Sequence, residues 1–435
     1  MSLAESAMGL GLKALNRIAG SSAVDKLGLR KLAERGLFHS SKAGFAMAGK
    51  AGRGFVAVQK LLKPARLPRA GNKGLFDLTP SDEQHMLREA ARTFALERLR
   101  SEASAADTAA AAPAALLAES AALGFTALGI PEALGGAGSE RSTVSNVLIA
   151  EALAEGDLSL AVACLAPSAV ATALTLWGNE TQQAQYLPSF ASDNAPVAAL
   201  AVQEPQPLFD AFTLTTVAVR RSGGYVLNGV KSLVPRAAEC TLLVVAAMLD
   251  GSPRLFLIEP NTKGLSLQAE PAMGLRAAAT ARLTLSQVLL DADALLGSVE
   301  DYAECIALSR LAWCALATGC GQAMLDHVIP YANERIAFGE PISHRQAVAF
   351  MIANISIELE GLRLATWRAA AKAERGEDFA REAAIARQLA TDKAMLIGND
   401  GVQVLGGHGF TKEYPVERWY RDLRACGFME GVVLV

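Results

Sequence analysis

Residues 403–431 carry Gln403, the cluster Gly406-Gly407-His408-Gly409, the run Tyr414-Pro415-Val416-Glu417-Arg418, then Arg421-Asp422 and Phe428-Met429-Glu430-Gly431. Bare glycine backbone lets a ligand approach closely. A basic helical segment follows it, and then a single carboxylate, Glu430, beside a glycine in an apolar run. No Lys or Arg stands within five residues of Glu430 on either side. Burial of an isolated carboxylate favours its protonated form, which makes Glu430 a candidate general base.

Outward from this stretch, composition sets the bounds. The chain has 435 residues and is 51% hydrophobic, enough for a large core and two or three domains. Only 6% of residues are aromatic, and the abundance of Ala and Leu favours helix. A net charge of −3 carries no nucleic-acid signature. Cys164, Cys240, Cys305, Cys314, Cys320 and Cys426 form no CxxC pair, the pattern of a reduced, intracellular compartment. The five histidines include no HxxxH pair, so no metal site is expected. No apolar run is expected to span a bilayer, and no signal peptide is read.

Charge is uneven. Residues 1–75 hold 14 Lys plus Arg against 3 Asp plus Glu, which marks a separate segment. Leu10, Leu12, Leu15 and Ile18, and then Leu27, Leu29, Leu32 and Leu37, recur among basic residues. Such basic amphipathic helices can lie on an anionic membrane. Equally, they can pack as an arm on the main body or on a neighbouring subunit, and an organellar transit peptide has the same composition. Liposome flotation with and without residues 1–75 separates the first reading from the others. Neither Gly9-Leu10-Gly11 nor the Gly49–Gly54 cluster has the spacing of a phosphate loop. The Pro64–Gly74 stretch reads as a linker.

Beyond it, Thr79-Pro80-Ser81-Asp82-Glu83 opens a helix with capping residues and early acids. Helical periodicity follows over Val144–Leu153, Leu158–Leu176 and Thr181–Phe190. From Val197 the texture changes to short β-branched runs punctuated by Gly223-Gly224, Asn228-Gly229 and Asp250-Gly251, as in a small antiparallel β-domain. Helical patterning returns at Ser309-Arg310 and continues over Ala347–Ala373 and Phe379–Gly398. The reading is a mostly α chain with a β insert: a basic extension 1–75, an α-domain 76–195, a β-domain 196–298 and a C-terminal α-domain 299–435.

The motifs in this order resemble the acyl-CoA dehydrogenase family. Gly124-Phe125, Ile130-Pro131-Glu132 and Gly135-Gly136 look like its GLxGIxxPxxxGG signature, and Gly178-Asn179-Glu180-Thr181-Gln182 with Tyr186-Leu187-Pro188 like GTEEQKxxYLP. Arg335-Ile336-Ala337-Phe338-Gly339-Glu340-Pro341-Ile342 with Gln346 matches RxxFGxPIxxxQ. Gln403 with Gly406 and Gly407 matches QxxGGxG, and Glu430-Gly431 the (Y/F)EG(T/S) motif. The resemblance implies a helical domain, a middle antiparallel β-domain and a C-terminal four-helix bundle. It implies FAD held by Arg335, Phe338, Gln346, Gln403, Gly406 and Gly407, with the ring near Val202, Gln203, Val234 and Pro235. An acyl-CoA substrate near Arg310, Phe209 and Gly431 is implied with it.

Several positions depart from the family. Where it keeps TEPxxGSD, this chain has Gln203-Glu204-Pro205-Gln206-Pro207-Leu208-Phe209-Asp210. Where it keeps KxWIT, the chain has Lys231-Ser232-Leu233-Val234-Pro235. Pro235 offers flavin neither a hydroxyl nor an N–H. Val432 and Leu434 stand where Thr and Gln are usual. Ser309 occupies the position of an alternative glutamate, which leaves Glu430 as the sole base. The sequence reaches Val435 short of the family's closing helix, so the site is expected to be more open or capped by another segment.

The resulting expectation is FAD-dependent α,β-dehydrogenation of an acyl-CoA, Glu430 taking the α-proton and the flavin N5 the hydride. The expected partners are an electron-transfer flavoprotein or similar acceptor and further copies of the chain, as a homodimer or homotetramer. The expected location is cytoplasmic, with peripheral membrane contact through residues 1–75, or the mitochondrial matrix if those residues include a transit peptide. A non-catalytic acyl-CoA or flavin-binding protein and a flavin oxidase or monooxygenase are the alternatives on the same fold.

Overall fold

Ser81 and Gln84 begin the helical layer. In the computed structural model, which describes residues 78–136, 141–192 and 194–435, the Ser81 hydroxyl accepts the Gln84 N–H at 3.2 Å. The Gln84 side chain accepts the Ser81 N–H at 2.9 Å. This reciprocal cap opens α1 (Asp82–Phe94), which passes through one π turn (Ala95–Leu99) into α2 (Arg100–Ala109). The interruption at Pro113 separates α2 from α3 (Ala114–Ala122). Then come α4 (Thr143–Gly156), α5 (Leu158–Trp177) and α6 (Glu180–Phe190). The basic segment 1–75, with its leucine-rich runs, glycine clusters and linker, lies outside the described residues.

The middle of the chain forms β1 (Ala198–Ala201), β2 (Val217–Arg221), β3 (Gly224–Val234), β4 (Leu242–Leu249), β5 (Ser252–Ile258), β6 (Leu265–Ala269), β7 (Ala281–Asp291) and β8 (Leu295–Leu296). They make one sheet in the order β6-β7-β3-β2-β4-β5-β8, with β1 on β4. The sheet is not wholly antiparallel as expected. β1 and β2 both run parallel to β4, Ala198 opposite Leu242 and Val217 opposite Met248. The paired strands are far apart in the chain, residues 202–241 lying between β1 and β4 and residues 222–241 between β2 and β4, as parallel pairing requires. The connection 202–216 reaches the candidate site.

α7 (Val299–Glu334) starts at a Ser298–Asp301 capping box, well before Ser309, so Ser309 and Arg310 lie inside the helix rather than at its head. α8 (Gln346–Glu374), α9 (Ala380–Leu405) and the short α10 (Val416–Leu423) complete the second helical group. Within it, α7, α8 and α9 pack on one another, and α7 also crosses α4. At that crossing a Cβ on Gly319 would lie 1.9 Å from the Glu151 carbonyl oxygen, so the approach requires glycine.

Among the described residues two helices, α5 and α7, are apolar and long enough to cross a membrane, contrary to expectation; their apolar windows are 94% and 78% buried inside the fold. They read as central helices packed largely within protein.

Polar pins tie α10 to its neighbours. The Asp422 side chain accepts the Leu275 N–H at 2.7 Å, and Arg418 donates to Asp157 at 3.0 Å. Arg421 grips Asp107 with two nitrogens at 2.9 and 3.0 Å. Burial, with the charge of Asp157 added, pushes the Asp422 carboxyl up to about 8. All six cysteines are buried. Burial pushes their thiols up, Cys164 to about 11 and Cys240 and Cys314 to about 12.

Candidate active site

Three stretches far apart in sequence meet at Glu430: the end of β1, the middle of α7, and the segment 429–435. β1 runs into Val202 and Gln203, and the Gln203 carbonyl accepts the Ser232 N–H at 2.9 Å, which joins it to β3. Beneath this junction lies a fully buried ion pair. Lys231 Nζ donates to Glu204 at 2.8 Å and to the Val202 carbonyl at 3.1 Å. Burial alone would raise the Glu204 carboxyl; the Lys231 charge and donors from Lys231, Thr215 and Thr216 instead hold it down at about 2.

Glu430 is 7% exposed. It is not isolated in space, and this corrects the sequence expectation. Arg310 places Nε 3.0 and 3.1 Å from the two carboxylate oxygens and a terminal nitrogen 2.9 Å from Oε1. Arg387 stands 3.9 Å away and donates to the carbonyls of Cys426 and, at 2.7 Å, Met429. The helices α7 and α9 therefore supply the counter-charges that the local sequence lacks. Arg310 also stacks over Phe212 at 5.8 Å, and Phe212 is 41% exposed. The arginine thus lies on the outer side of the carboxylate.

The backbone around Glu430 is held as firmly. Its N–H donates to Gln203 Oε1 at 3.1 Å. The Gly431 carbonyl accepts from Ser309 Oγ at 2.7 Å and from the Trp313 indole at 3.0 Å. Gly431 has φ +74°, and a Cβ there would lie 2.6 Å from Val202 Cγ2. Residues 432–435 are buried rather than open: Val432, Val433 and Val435 join the core of the helical group, and Leu434 joins the cluster that contains Val202 and Tyr302. Phe209 packs half-buried on that same cluster. Trp313 and Arg387 were not among the expected site residues. Their signals were an indole one turn after Ser309 and an arginine among alanines.

The ring-end residues divide by face. Leu233 has φ +54°, and its N–H donates to Glu270 at 2.8 Å. Val234 buries its side chain in the sheet cluster, and Pro235 is buried beside it.

A second group of expected residues gathers elsewhere on the surface. Arg335, Phe338, Gln346, Gln403, Gly406 and Gly407 are all exposed. Phe338 and Val404 line one hollow of about 620 Å³ with Ala337, Ile342, Arg345 and Val348. The Tyr331 hydroxyl links the two motifs, 2.9 Å from His408 Nδ1 and 3.4 Å from the Leu405 carbonyl oxygen. A Cβ at Gly406 or Gly407 would meet nothing within 4 Å. The glycine backbone there is open to a ligand.

Residues 81–194, 199–288 and 300–433 match, in that order, the family models described as acyl-CoA dehydrogenase N-terminal, middle and C-terminal domains. The chain belongs to the acyl-CoA dehydrogenase family. It is 33% identical to the short-chain specific acyl-CoA dehydrogenase, mitochondrial, of Bos taurus, over 80% of this chain and 87% of that protein. It is 30% identical to an acyl-CoA dehydrogenase of Bacillus subtilis, over 81% and 95% respectively. Among solved structures, butyryl-CoA dehydrogenase from Megasphaera elsdenii superposes with TM-score 0.75 at 28% identity, covering 82% of this chain and 96% of that one. Glutaryl-CoA dehydrogenase in its glutaryl-CoA complex gives 0.74 at 27%, covering 81% and 92%. Family membership makes the chain a flavin oxidoreductase with the three-domain fold of its relatives.

Members of the family are FAD-dependent, and the residues present suit the cofactor's outer half. An exposed Arg335 fork matches a diphosphate, and the bare Gly406-Gly407 backbone leaves room beside the Gln403 amide. At the expected ring end Val202, Pro235 and Val432 are buried, Leu233 is half-buried, and none of the four carries a hydroxyl; packing and backbone would have to hold the ring there.

Proposed function

We propose that the protein is an FAD-dependent acyl-CoA dehydrogenase that converts an acyl-CoA thioester to the trans-2-enoyl-CoA, with Glu430 as the base. The observation that carries this reading is a buried carboxylate held at the junction of β1, α7 and the segment 429–435, in a chain matched along all three family domains. When bound, FAD supplies the two-electron acceptor for the hydride from the β-carbon. Glu430 takes the α-proton onto a carboxylate oxygen. To do so it must part from Arg310, whose side chain is 26% exposed and already rests on Phe212; the arginine has a place to stay when it lets go. Arg335 would hold the diphosphate of FAD bound to a neighbouring copy. An exposed stripe on α8, Phe350, Ile357 and Leu364 at seven-residue spacing, supports a homodimer or homotetramer. An electron-transfer flavoprotein is the acceptor we propose.

Names of relatives that specify a short chain support butyryl-CoA as the first substrate to test. Anaerobic titration of the purified flavoprotein with butyryl-CoA should bleach the flavin. Glu430→Gln should keep FAD and lose the bleaching; a variant that bleaches normally removes Glu430 from the role. The Arg310 fork on Glu430 also favours a second reading, a binding protein on this fold. Protein that retains acyl-CoA and is never reduced by it would decide for that reading.

A further inference from the structure

The contact between Gln203 and Glu430 leads furthest. A backbone N–H can only donate, so the Gln203 carboxamide must turn its oxygen to Glu430 and its NH2 to the opposite edge of the same plane. The peptide that carries this N–H is pinned from its far side by Arg387, which donates to the Met429 carbonyl at 2.7 Å. Gln203 itself is pinned through its carbonyl to Ser232. The amide therefore has one settled orientation.

This matters for charge. As the α-proton leaves for the Glu430 carboxylate, the electron pair left on carbon spreads onto the thioester oxygen, which then needs donors. The backbone donor nearest to the base, the Glu430 N–H, is already given to Gln203. We propose that Gln203 supplies the replacement: its Nε2 donates to the thioester oxygen, while its carbonyl, accepting from Glu430, polarises the amide and strengthens that donor. No bond to Gln203 forms or breaks; the proton ends on Glu430 and the charge rests on the oxygen that Gln203 faces. The proposal rests on the acyl-thioester reading given above. A single side-chain amide at such a position is typically worth about 10²–10³ in rate.

The test uses the full chain and a ligand that carries the charge without turnover. Acetoacetyl-CoA binds as a neutral thioester or as its enolate, and the enolate is followed by its own ultraviolet absorbance, independent of flavin reduction. Binding of crotonyl-CoA, a trans-2-enoyl product that the flavin cannot oxidise further, is the neutral control by calorimetry. Gln203→Glu removes the donor and keeps the shape and the acceptor for Glu430, whereas Gln203→Met and Gln203→Thr carry no amide and free the Glu430 N–H. Expected is a fall of about 10²-fold or more in enolate affinity in the Glu variant, with crotonyl-CoA affinity little changed. The Met and Thr variants should recover most of the loss. Enolate binding in the Glu variant equal to the parent's overturns the proposal, as does a parent that binds crotonyl-CoA but no enolate. A parent that binds neither ligand overturns the acyl-thioester reading itself.

Discussion

Arg310 Nε stands 3.0 Å from Oε1 and 3.1 Å from Oε2 of Glu430, across 120 residues of sequence. The pair joins the longest helix to the segment that carries the base, so it belongs to stability and to chemistry at once. Removing one partner of a largely buried pair leaves the other charge stranded. Arg310→Gln should cost about 1–3 kcal/mol, less than a fully buried pair because the arginine is partly exposed. Adding Glu430→Gln should return much of that loss. A double-mutant cycle by urea unfolding measures the coupling; additivity would show that the two residues do not support each other.

Gly431 tests how tightly the base is seated. Its φ of +74° and the 2.6 Å approach to Val202 exclude a Cβ without movement. Gly431→Ala should destabilise by about 1–3 kcal/mol and reduce kcat more than KM, since it shifts the carboxylate next to it. Denaturant midpoints and steady-state kinetics on one preparation give both values.

Much of this was legible in sequence, and the part that was not has a common cause. Glu430-Gly431, the Arg335–Gln346 stretch and the Gly406-Gly407 pair are local patterns, and each sits in the fold as a local pattern can. The apparent solitude of Glu430 was local too, and it failed because Arg310 and Arg387 come from other helices. Trp313 shares a helix face with Ser309, yet only the fold shows that face looking at the Gly431 carbonyl. The parallel pairing of β1 and β2 with β4 joins strands far apart in the chain, which strand patterning does not report. Gln203 reads as a replaced threonine; that its longer side chain reaches Glu430 is a fact of three dimensions.

The Glu204–Lys231 pair sets an acid limit. The Glu204 carboxyl sits at about 2 in the fold against about 4.3 in an unfolded chain. Its folded value is depressed, so its contribution is complete above about pH 4.3 and is lost as pH falls towards 2. Glu204→Gln should flatten that part of the stability profile, read as melting temperature against pH. Lys231→Met should cost about 3–5 kcal/mol, because it strands a buried carboxylate.

Asp422 acts in the opposite direction. Its folded carboxyl is raised to about 8, so from about pH 4 the native state binds more protons than the unfolded chain. Stability from this group therefore falls as pH rises from about 4 to 8. Asp422→Asn keeps an acceptor for the Leu275 N–H and removes the titration. The variant should melt several degrees higher than the parent at pH 8 and differ little at pH 4. An equal gap at both pH values would sink the assignment.

Arg335 lies on the surface, so Arg335→Ala should change stability by no more than about 0.5 kcal/mol. It should nevertheless lower the FAD retained after gel filtration. Flavin content by absorbance, beside an unchanged melting curve of the apoprotein, checks this.

The burial of every cysteine gives the molecule a built-in set of clocks. Cys305, Cys314, Cys320 and Cys426 are sealed from an alkylating reagent until the surrounding structure opens, whereas Cys164 lines a hollow of about 240 Å³. The six are well spread: Cys240 beside the sheet, Cys164 in α5, three along α7, and Cys426 four residues ahead of Glu430. Trapping rates, resolved peptide by peptide, would order the breaches through which the native structure comes apart without a single substitution in the sequence.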